Sequence, residues 1–358
     1  MIIKVVYQIP FINTLNAGRS IYNGYKNAFE DLGHSFIPFT AEDNLELLLD
    51  RVQPDIFITY THFYPQKFLD FKVLKKHRNR GMKIFVNTGF WNSPFKKTRI
   101  NEGDSLKNDT KTVSMIKSGD FGDFFYNVVE QDDYRMDGFE EVTGYKYHTI
   151  PLAVDSITLK NAHFNPKFKS DISYIGTYLP QKRDYFKKYV FPLNKNYKLK
   201  LYGQDWNILD RSLGFIQKTG EYFNFSALKT VRKPKLSLDQ EGEIYNSSTI
   251  SINIHENYQR KYGGDCNERT FKIPYCGGFE ISDDVSCIRK YFNVDEEIVV
   301  AENLNDWFEK IDYYIKNPEK RLEIIKKGKE RVEKDHTYHN RVGKLLDIYS
   351  SSESLKLQ

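Results

Sequence analysis

The stretch DISYIGTYLPQKR, residues 171–183, contains the pattern that decides the fold. Its first five residues predict a short strand, and Gly176 then opens a turn. Two cations, Lys182 and Arg183, follow where the next helix is expected to begin. A strand that passes through a glycine turn into a helix is the repeating unit of parallel α/β folds, so this stretch predicts one such unit.

The same alternation continues on both sides of this stretch. Downstream, the sequence predicts strands at 197–202, 248–254, 279–282 and 298–301, and helices at 184–189, at 270–275 and along the tail from about 307. Upstream, it predicts strands at 2–7, 34–39, 55–60, 83–87 and 124–129, and helices at 21–32, 45–52 and about 65–80. Short apolar strands separated by helices indicate parallel sheets covered on both faces. The chain is therefore predicted to form two Rossmann-like halves.

The boundary between the halves is expected in HTIPLAVD, residues 148–155, and the polar tract that follows it. This places an N-terminal domain at 1–152 and a C-terminal domain at 153–336. Residues 92–120 are polar and show little periodicity, which predicts a long loop or insertion there.

Composition limits the classes of function. The 358 residues are 40% hydrophobic and contain no run of about 18 apolar residues, so no transmembrane helix is predicted. The opening MIIKVVYQIPF has no basic leader and is interpreted as a strand, so a cytoplasmic location is expected. The net charge of +5 favours anionic ligands and leaves peripheral membrane contact open, but no basic and aromatic stripe indicates a nucleic-acid partner. Three cysteines without CxxC spacing predict structural thiols and no zinc site.

The glycine turns after two predicted strands are candidates for phosphate binding. Glycine lets a ligand approach the backbone, and cations at a helix start add charge-assisted hydrogen bonds, so Gly176, Lys182 and Arg183 are suited to a diphosphate. An ordinary βα turn with a surface arginine stays the alternative. In LYGQDW, Gly203 permits the same approach and an aromatic neighbour such as Tyr202 is suited to stack on a nucleobase, whereas burial would explain Trp206 equally well.

The segment NERTFKIPYCGGFEISDD, residues 267–284, is the most specific. Asn267 is a suitable N-cap for a short helix that ends before Gly277. Arg269 then lies in the first turn, where its charge adds to the positive end of the helix. Arg269 is therefore a second candidate for phosphate binding.

The order of these stretches resembles the C-terminal half of the CgeB-like glycosyltransferases. The segments that carry the resemblance are IGTYLPQKR, LYGQDW, YNSSTISINIHE, NERTFKIPYCGGFEISDD, EEIVVAENLNDWFEKIDYYIKNPEKR and HTYHNRV, within about residues 148–346. These enzymes are relatives of glycosyltransferase family 4. The resemblance implies a GT-B fold, with two Rossmann-like domains facing across a cleft and a last helix, about 337–358, packing back on the N-terminal domain. The N-terminal domain is similar only in layout.

The resemblance also implies a reaction: transfer of a hexosyl or related group from a nucleotide-diphosphate sugar to a hydroxyl of a glycan or other acceptor. No cofactor is expected, because the sugar nucleotide is a substrate, and the diphosphate is held by cations and helix dipoles without a metal. In this view Gly176, Thr177 and Arg183 lie at the diphosphate, and Arg269 reaches it from the other side.

Lys272 departs from the family pattern, which has a carboxylate there that resembles the acid holding the nucleotide ribose. Lysine only donates hydrogen bonds, so it cannot replace that acid. If the site still uses a sugar nucleotide, Lys272 contacts the diphosphate, and Glu268 either takes the ribose or holds Lys272 by an i,i+4 pair. A surface lysine without a role in binding is the third possibility.

On the acceptor side, His62 follows the strand predicted at 55–60 and is a candidate general base, because an imidazole titrates near neutral pH. A histidine with a purely structural role is the alternative. Gly18 and Arg19, in a predicted loop, are candidates for acceptor contacts. A GT-B-fold sugar-nucleotide epimerase and a non-catalytic sugar-nucleotide or glycan-binding paralogue remain alternative functions.

Overall fold

The computed structural model describes residues 2–14, 17–93 and 105–354. The chain divides into two compact units, one formed by Met1–Pro151 with Arg341–Gln358 and the other by Leu152–Asn340. Each unit has its own parallel sheet, and in the described residues no strand of one sheet pairs with a strand of the other. The prediction of two Rossmann-like α/β domains is confirmed.

The first unit contains a sheet in the order β2-β1-β3-β4-β5-β6. Its strands are β1 (Lys4–Gln8), β2 (Ser35–Phe39), β3 (Ile56–Tyr60), β4 (Lys83–Asn87), β5 (Phe124–Asn127) and β6 (Tyr147–Thr149). Its helices are α1 (Ala17–Asp31), α2 (Leu45–Val52), α3 (Phe63–Gln66), α4 (Phe71–Arg78), α5 (Thr110–Lys117) and α6 (Phe139–Thr143). Strand residues such as Phe57 and Ile84 are buried against Leu49 and Leu74 of the helices, which explains why these strands consist of apolar runs.

The second unit contains a sheet in the order β11-β10-β9-β7-β8. Its strands are β7 (Ser170–Ile175), β8 (Leu199–Tyr202), β9 (Ser248–Asn253), β10 (Glu280–Asp283) and β11 (Val299–Ala301). Its helices are α7 (Arg183–Tyr185), α8 (Ile208–Phe223), α9 (Ser226–Lys229), α10 (Leu238–Ser247), α11 (Asn257–Tyr262), α12 (Arg269–Tyr275), α13 (Ile288–Tyr291), α14 (Leu304–Lys316) and α15 (Pro318–Asp335). The last helix, α16 (Tyr338–Ser354), begins in this unit and continues into the first.

Both faces of the second sheet are covered by apolar cores. In β11, Val299 and Ala301 join the core that contains Trp307, whereas Val300 joins the core that contains Phe271. Successive strand residues point to opposite faces, so the three residues of β11 contribute to both cores, and all three are apolar.

The structure corrects the sequence predictions in three places. The segment 92–120 is not all loop, because α5 lies within it and is capped by Asp109, whose carboxylate accepts from the Thr112 amide at 3.0 Å; residues 94–104 fall outside the described part. The helix expected at 65–80 is two helices, since Asp70 caps the start of α4. The region between β8 and β9 holds α8, α9 and α10, which the sequence analysis did not predict.

No helix among the described residues is long and apolar enough to cross a membrane. The three cysteines are buried free thiols, and the Sγ atoms of Cys266 and Cys287 lie 2.9 Å apart.

Candidate functional site

The predicted sugar-nucleotide residues belong to the second unit, where most of them follow the carboxyl ends of its parallel strands. This edge is where α/β sheets bind their ligands. Gly176 follows β7 and Gly203 follows β8. The backbone of Gly203 is left-handed (φ 109°), and a Cβ atom there would lie 2.4 Å from the Gly176 carbonyl oxygen. The two turns therefore pack on each other, and this contact alone requires glycine at 203.

Trp206 fixes the same pair of turns. Its indole Nε1 donates to the carbonyl oxygens of Gly176 (3.2 Å) and Tyr202 (3.1 Å). Its ring stacks on Tyr178 with centroids 4.9 Å apart. Trp206 is therefore a packed residue, which is the second of its two interpretations. The Tyr202 side chain is half-buried, with its ring edge against Phe168 at 6.1 Å.

Arg269 joins the ends of two strands. Its Nη1 donates to the carbonyl of Ile175 at the end of β7 (3.3 Å), and its Nη2 donates to the carbonyl of Ile254 just after β9 (2.9 Å). Its Nε donates to Asn253 Oδ1 at 3.0 Å. These partners are neutral oxygens, and within the described ranges no carboxylate forms an ion pair with Arg269. Three of its five N–H groups are used, so a positive charge with spare donors lies at the ligand-binding edge of the sheet.

Lys182 reaches the same point from the helix side. Its Nζ donates to the Ile254 carbonyl at 3.1 Å, the oxygen that Arg269 also binds, and pairs with Glu256 Oε1 at 2.8 Å. The side chain is buried, so the charge of Lys182 is compensated inside the protein. The structure thus brings Lys182 and Arg269 together, but it leaves Arg269 as the cation without a bonded carboxylate.

Arg183 follows Lys182 in the chain and begins α7. Its guanidinium is 5.4 Å from the centre of the Tyr178 ring, and its buried Nε has no hydrogen-bond partner among the residues described. The buried hydroxyl of Tyr174 and the Oε1 of Gln204 are also without partners in that part of the chain. Thr177, between Gly176 and the helix, accepts from the Leu179 amide through its carbonyl at 2.9 Å. Buried polar atoms of this kind are normally satisfied, so three of them, in β7, in the turn after β8 and in α7, are consistent with a polar ligand.

The start of α12 differs from the sequence prediction in one detail. The N-cap position is Glu268, not Asn267, although the Asn267 side chain still accepts from the Arg269 amide at 2.9 Å. The Arg269 amide is therefore occupied within the chain.

Lys272 is buried between two carboxylates. Its Nζ lies 3.2 Å from Glu268 Oε2 and 3.2 Å from Glu241 Oε2 of α10. Glu268 also accepts from the Tyr338 hydroxyl at 2.9 Å, so both of its oxygens are engaged. Burial alone would lower the pKa of Lys272, but the two carboxylates raise it above its usual value. Lys272 is therefore not a surface lysine, and the i,i+4 pair with Glu268 is present.

A second buried network lies at the ends of β9 and β10. Asp283 Oδ1 is 2.7 Å from His255 Nδ1, and Asp283 Oδ2 accepts from Arg260 Nη1 at 2.8 Å. His255 Nε2 is 3.2 Å from the Thr270 hydroxyl. Burial would raise the pKa of Asp283, but the neighbouring His255 and Arg260 hold it below its usual range. The network ties α11 and α12 to the sheet next to Arg269.

Glu280 lies at the start of β10, and one side of its carboxyl is unpartnered. Its Oε1 accepts from Asn253 Nδ2 at 2.8 Å, whereas its Oε2 is buried without a partner among the described residues. Burial raises the pKa of Glu280 to about 8, although Asn253 and Arg269 oppose the rise. Asn253 therefore contacts both Arg269 and Glu280.

The predicted acceptor residues belong to the first unit. His62 is exposed and caps α3, where its Nδ1 accepts from the Tyr64 amide at 3.3 Å. The general-base role of His62 stays a prediction. Gly18 and Arg19 are not in a loop, because they lie in the first turn of α1.

Sequence reasoning missed residues that approach the site from a distance. Glu241 is separated from Lys272 by 31 residues, and nothing local connects them. Asn253 and Asp283 carried a detectable signal, since each is a polar residue at the carboxyl end of a strand, the edge where parallel sheets bind ligands.

The sequence comparisons place the chain near glycosyltransferases. Residues 184–347 match the family model described as glycosyl transferase-like. The spore protein CgeB of Bacillus subtilis (strain 168) is 23% identical over 195 residues. That match covers 51% of this chain and 55% of CgeB, so it spans little more than half the length of this relative.

Solved structures with the same architecture extend over the whole chain. A glycosyltransferase from Rickettsia africae superposes with a TM-score of 0.62 at 12% identity and covers 98% of each chain. The catalytic domain of starch synthase IV from Arabidopsis thaliana, bound to ADP and acarbose, gives a TM-score of 0.64 at 11% identity and covers 99% of this chain and 100% of its own. The predicted GT-B fold and the resemblance to CgeB-like glycosyltransferases are confirmed.

Proposed function

We propose that this GT-B chain, similar to CgeB-like glycosyltransferases, transfers a sugar from a nucleoside-diphosphate sugar to an acceptor hydroxyl. The observation that carries the proposal is Arg269, a largely buried guanidinium whose hydrogen bonds go to neutral oxygens at the ends of β7 and β9. A cation that bonds no carboxylate, at the carboxyl edge of a parallel sheet, is suited to a phosphate group.

The chemistry requires charge stabilisation at this position. The bond between the anomeric carbon and the phosphate oxygen breaks, the acceptor oxygen bonds to that carbon, and the acceptor loses a proton. The departing diphosphate gains negative charge, so fixed donors aimed at it lower the barrier. Arg269 and Arg183 supply such donors, while Lys182, paired with Glu256, holds the turn after Gly176 in place.

A metal-independent site is part of the proposal, because Arg269 and Arg183 can supply the positive charge at the diphosphate. Among the described side chains, no group of three or more His, Cys, Asp or Glu residues is arranged to hold a metal ion. Cations of the protein would then perform the role that a divalent ion performs in metal-dependent transferases. No cofactor is proposed, and the acceptor is a glycan or another hydroxyl-bearing molecule.

Ribose recognition is proposed to involve the carboxylates around Lys272. Both oxygens of Glu268 already have partners, whereas Glu241 uses only its Oε2 in the contacts described above. Glu241 Oε1 is therefore the better candidate to accept from a ribose hydroxyl, with Lys272 orienting the carboxylate.

Binding of nucleoside diphosphates to the full chain tests the proposal. Calorimetry with UDP, GDP and ADP is expected to find a ligand, and a ligand at 100 times its dissociation constant adds about 2.7 kcal/mol to stability. Arg269→Lys and Arg183→Ala are expected to weaken that binding by about 10-fold or more, because each removes charge-assisted hydrogen bonds worth roughly 1.5–3 kcal/mol.

Arg289→Ala is the matched control, since this exposed arginine of α13 pairs with Asp284 alone among the contacts described for it. Its affinity should equal that of the wild type. Release of free nucleotide only when an acceptor is supplied would distinguish a transferase from an epimerase or a non-catalytic protein. Failure of all three nucleotides to bind, or wild-type affinity in both site variants, would contradict the proposal.

A further inference from the structure

The α8 helix exposes an unusual number of large apolar side chains. Five of them form what we call the α8 stripe: Ile208 (76% exposed), Leu209 (71%), Phe215 (73%), Ile216 (39%) and Phe223 (60%). Phe225, just after the helix, is also exposed, and its ring lies 6.1 Å from that of Phe223. Contiguous apolar surface of this kind marks an interaction site.

The stripe is a single face of the helix. At about 100° per residue, its five members fall within an arc of roughly 120°. Ser212 and Thr219 lie in the same arc, and their hydroxyls donate to backbone carbonyls one turn earlier, at 3.1 and 3.0 Å. The polar groups on this face are thus satisfied inside the helix, which lowers the cost of removing them from water.

The other face of α8 is fixed against the protein, so the stripe must point outward. A Cβ atom at Gly220 would lie 2.5 Å from Leu228, which shows how closely α8 packs on α9. Asp210 forms ion pairs with Arg232 at 2.7 Å and Lys235 at 3.1 Å. These contacts hold the stripe away from the core of its own unit.

The segment that carries the stripe is strongly basic. Residues 207–237 contain six Lys or Arg and two Asp or Glu, a net charge of +4, whereas the whole chain has a net charge of +5. Asp210 is buried and Glu221 is half-buried. Among the cations, Lys229 is buried and Arg232 is half-buried, whereas Lys218, Lys233 and Lys235 are exposed. Arg211 and Lys218 lie on one edge of the stripe by helical position.

We propose that the α8 stripe docks this protein on the surface of an anionic lipid bilayer, with α8 lying in the plane of the interface. An apolar face bordered by cations is the chemistry of an interfacial helix, which buries its apolar side about 5–10 Å into the headgroup region. Charge complementarity favours this partner over a second copy of the chain, since two such segments would repel each other. The aliphatic Ile208, Leu209 and Ile216 favour lipid over nucleic acid, which stacks on aromatic rings.

Co-sedimentation of the full chain with vesicles tests the proposal. The protein is expected to bind vesicles that contain phosphatidylglycerol and to bind phosphatidylcholine vesicles much more weakly, with high salt reducing the difference. Each of Phe215→Ser and Phe223→Ser should lower the vesicle partition coefficient about 10-fold or more. The double variant Arg211→Ala/Lys218→Ala should lower the partition coefficient about 25-fold, because each cation contributes about fivefold, and only on the anionic vesicles.

Phe164→Ser and Lys327→Ala are matched controls, since both residues are exposed and lie outside residues 207–237. Melting temperatures check that all variants fold, and nucleotide affinity should be unchanged, so failure here is distinguishable from failure of the proposed function. Equal binding to neutral and anionic vesicles, loss of binding in the controls, concentration-dependent dimers abolished by Phe215→Ser, or preferential binding of an oligonucleotide would overturn the proposal.

Discussion

Replacing Lys272 by methionine should destabilise the second unit strongly. Methionine has similar length and no charge, so the substitution leaves Glu268 and Glu241 without the cation that each of them pairs with at 3.2 Å. Breaking a buried ion pair by removing one partner costs about 3–5 kcal/mol. For a unit of this size, each kcal/mol lowers the melting temperature by about 2–4 °C, so a fall of roughly 6–20 °C is expected.

The dependence of this destabilisation on pH tests its electrostatic cause. Without Lys272, two carboxylates are left in one buried site with no cation, so protonating either of them relieves their repulsion. A raised carboxyl pKa stabilises at low pH and loses that contribution as the pH rises through the folded value. The difference between Lys272→Met and the wild type should therefore shrink as the pH falls below about 5.

Urea unfolding of both proteins at neutral and mildly acidic pH measures this difference. Adding Glu268→Gln to Lys272→Met should restore part of the lost stability, because one of the two charges is removed and the Tyr338 hydroxyl keeps an acceptor. Lys327→Met, which breaks an exposed pair with Glu296, should change stability by less than about 1 kcal/mol. A Lys272→Met protein as stable as the wild type at neutral pH would refute the reasoning.

Three further substitutions have defined outcomes. Burial raises the pKa of Glu280 from 4.5 to about 8, so the wild type should lose stability as the pH rises through that interval. In urea unfolding, Glu280→Gln should remove most of this dependence of stability on pH. An unchanged pH dependence would contradict the prediction. Gly203→Ala should cost about 2–4 kcal/mol by calorimetry, whereas Gly33→Ala, also left-handed but with nothing within 4 Å, should cost only about 1 kcal/mol. Asp283→Asn should lower the free energy of unfolding by about 3–5 kcal/mol in chemical denaturation. Asp284→Asn, at a more exposed carboxylate that pairs with Arg289, should lower it by less than about 1 kcal/mol. Similar losses in the two variants would contradict a stabilising role for the buried network.

The strands were predictable from the sequence because burial on both faces leaves a continuous apolar run. KIFVN, residues 83–87, is a strand at the predicted positions for this reason. Helix α8 was missed, since two glycines, Gly214 and Gly220, lower its helix propensity. Apolar residues at helical spacing normally indicate a face that packs on the core, but in α8 they form an exposed surface.

The candidate site was predictable only in part. Arg269 was predictable because its signals are local in the sequence. A capping residue, Asn267, precedes the short helix, Arg269 lies in its first turn, and Gly277 and Gly278 follow its end. The partners of Lys272 could not be found in the same way, because Glu241 comes from another helix and only the fold brings the two together. The neighbouring charge decides whether a lysine is an anion site or a buried structural cation, and that information is not local in the sequence.

The path of α16 has a consequence for the order in which the protein is made. This helix begins in the second unit, but from Arg341 onward it belongs to the first, where Arg341 and Lys344 donate to the carbonyls of Pro151 and Thr149 at 2.9 and 2.8 Å. During synthesis, residues 1–151 leave the ribosome long before the segment that completes their unit. The second unit, which is continuous in the chain, can finish folding first, so the usual N-to-C order of domain folding is reversed at this step.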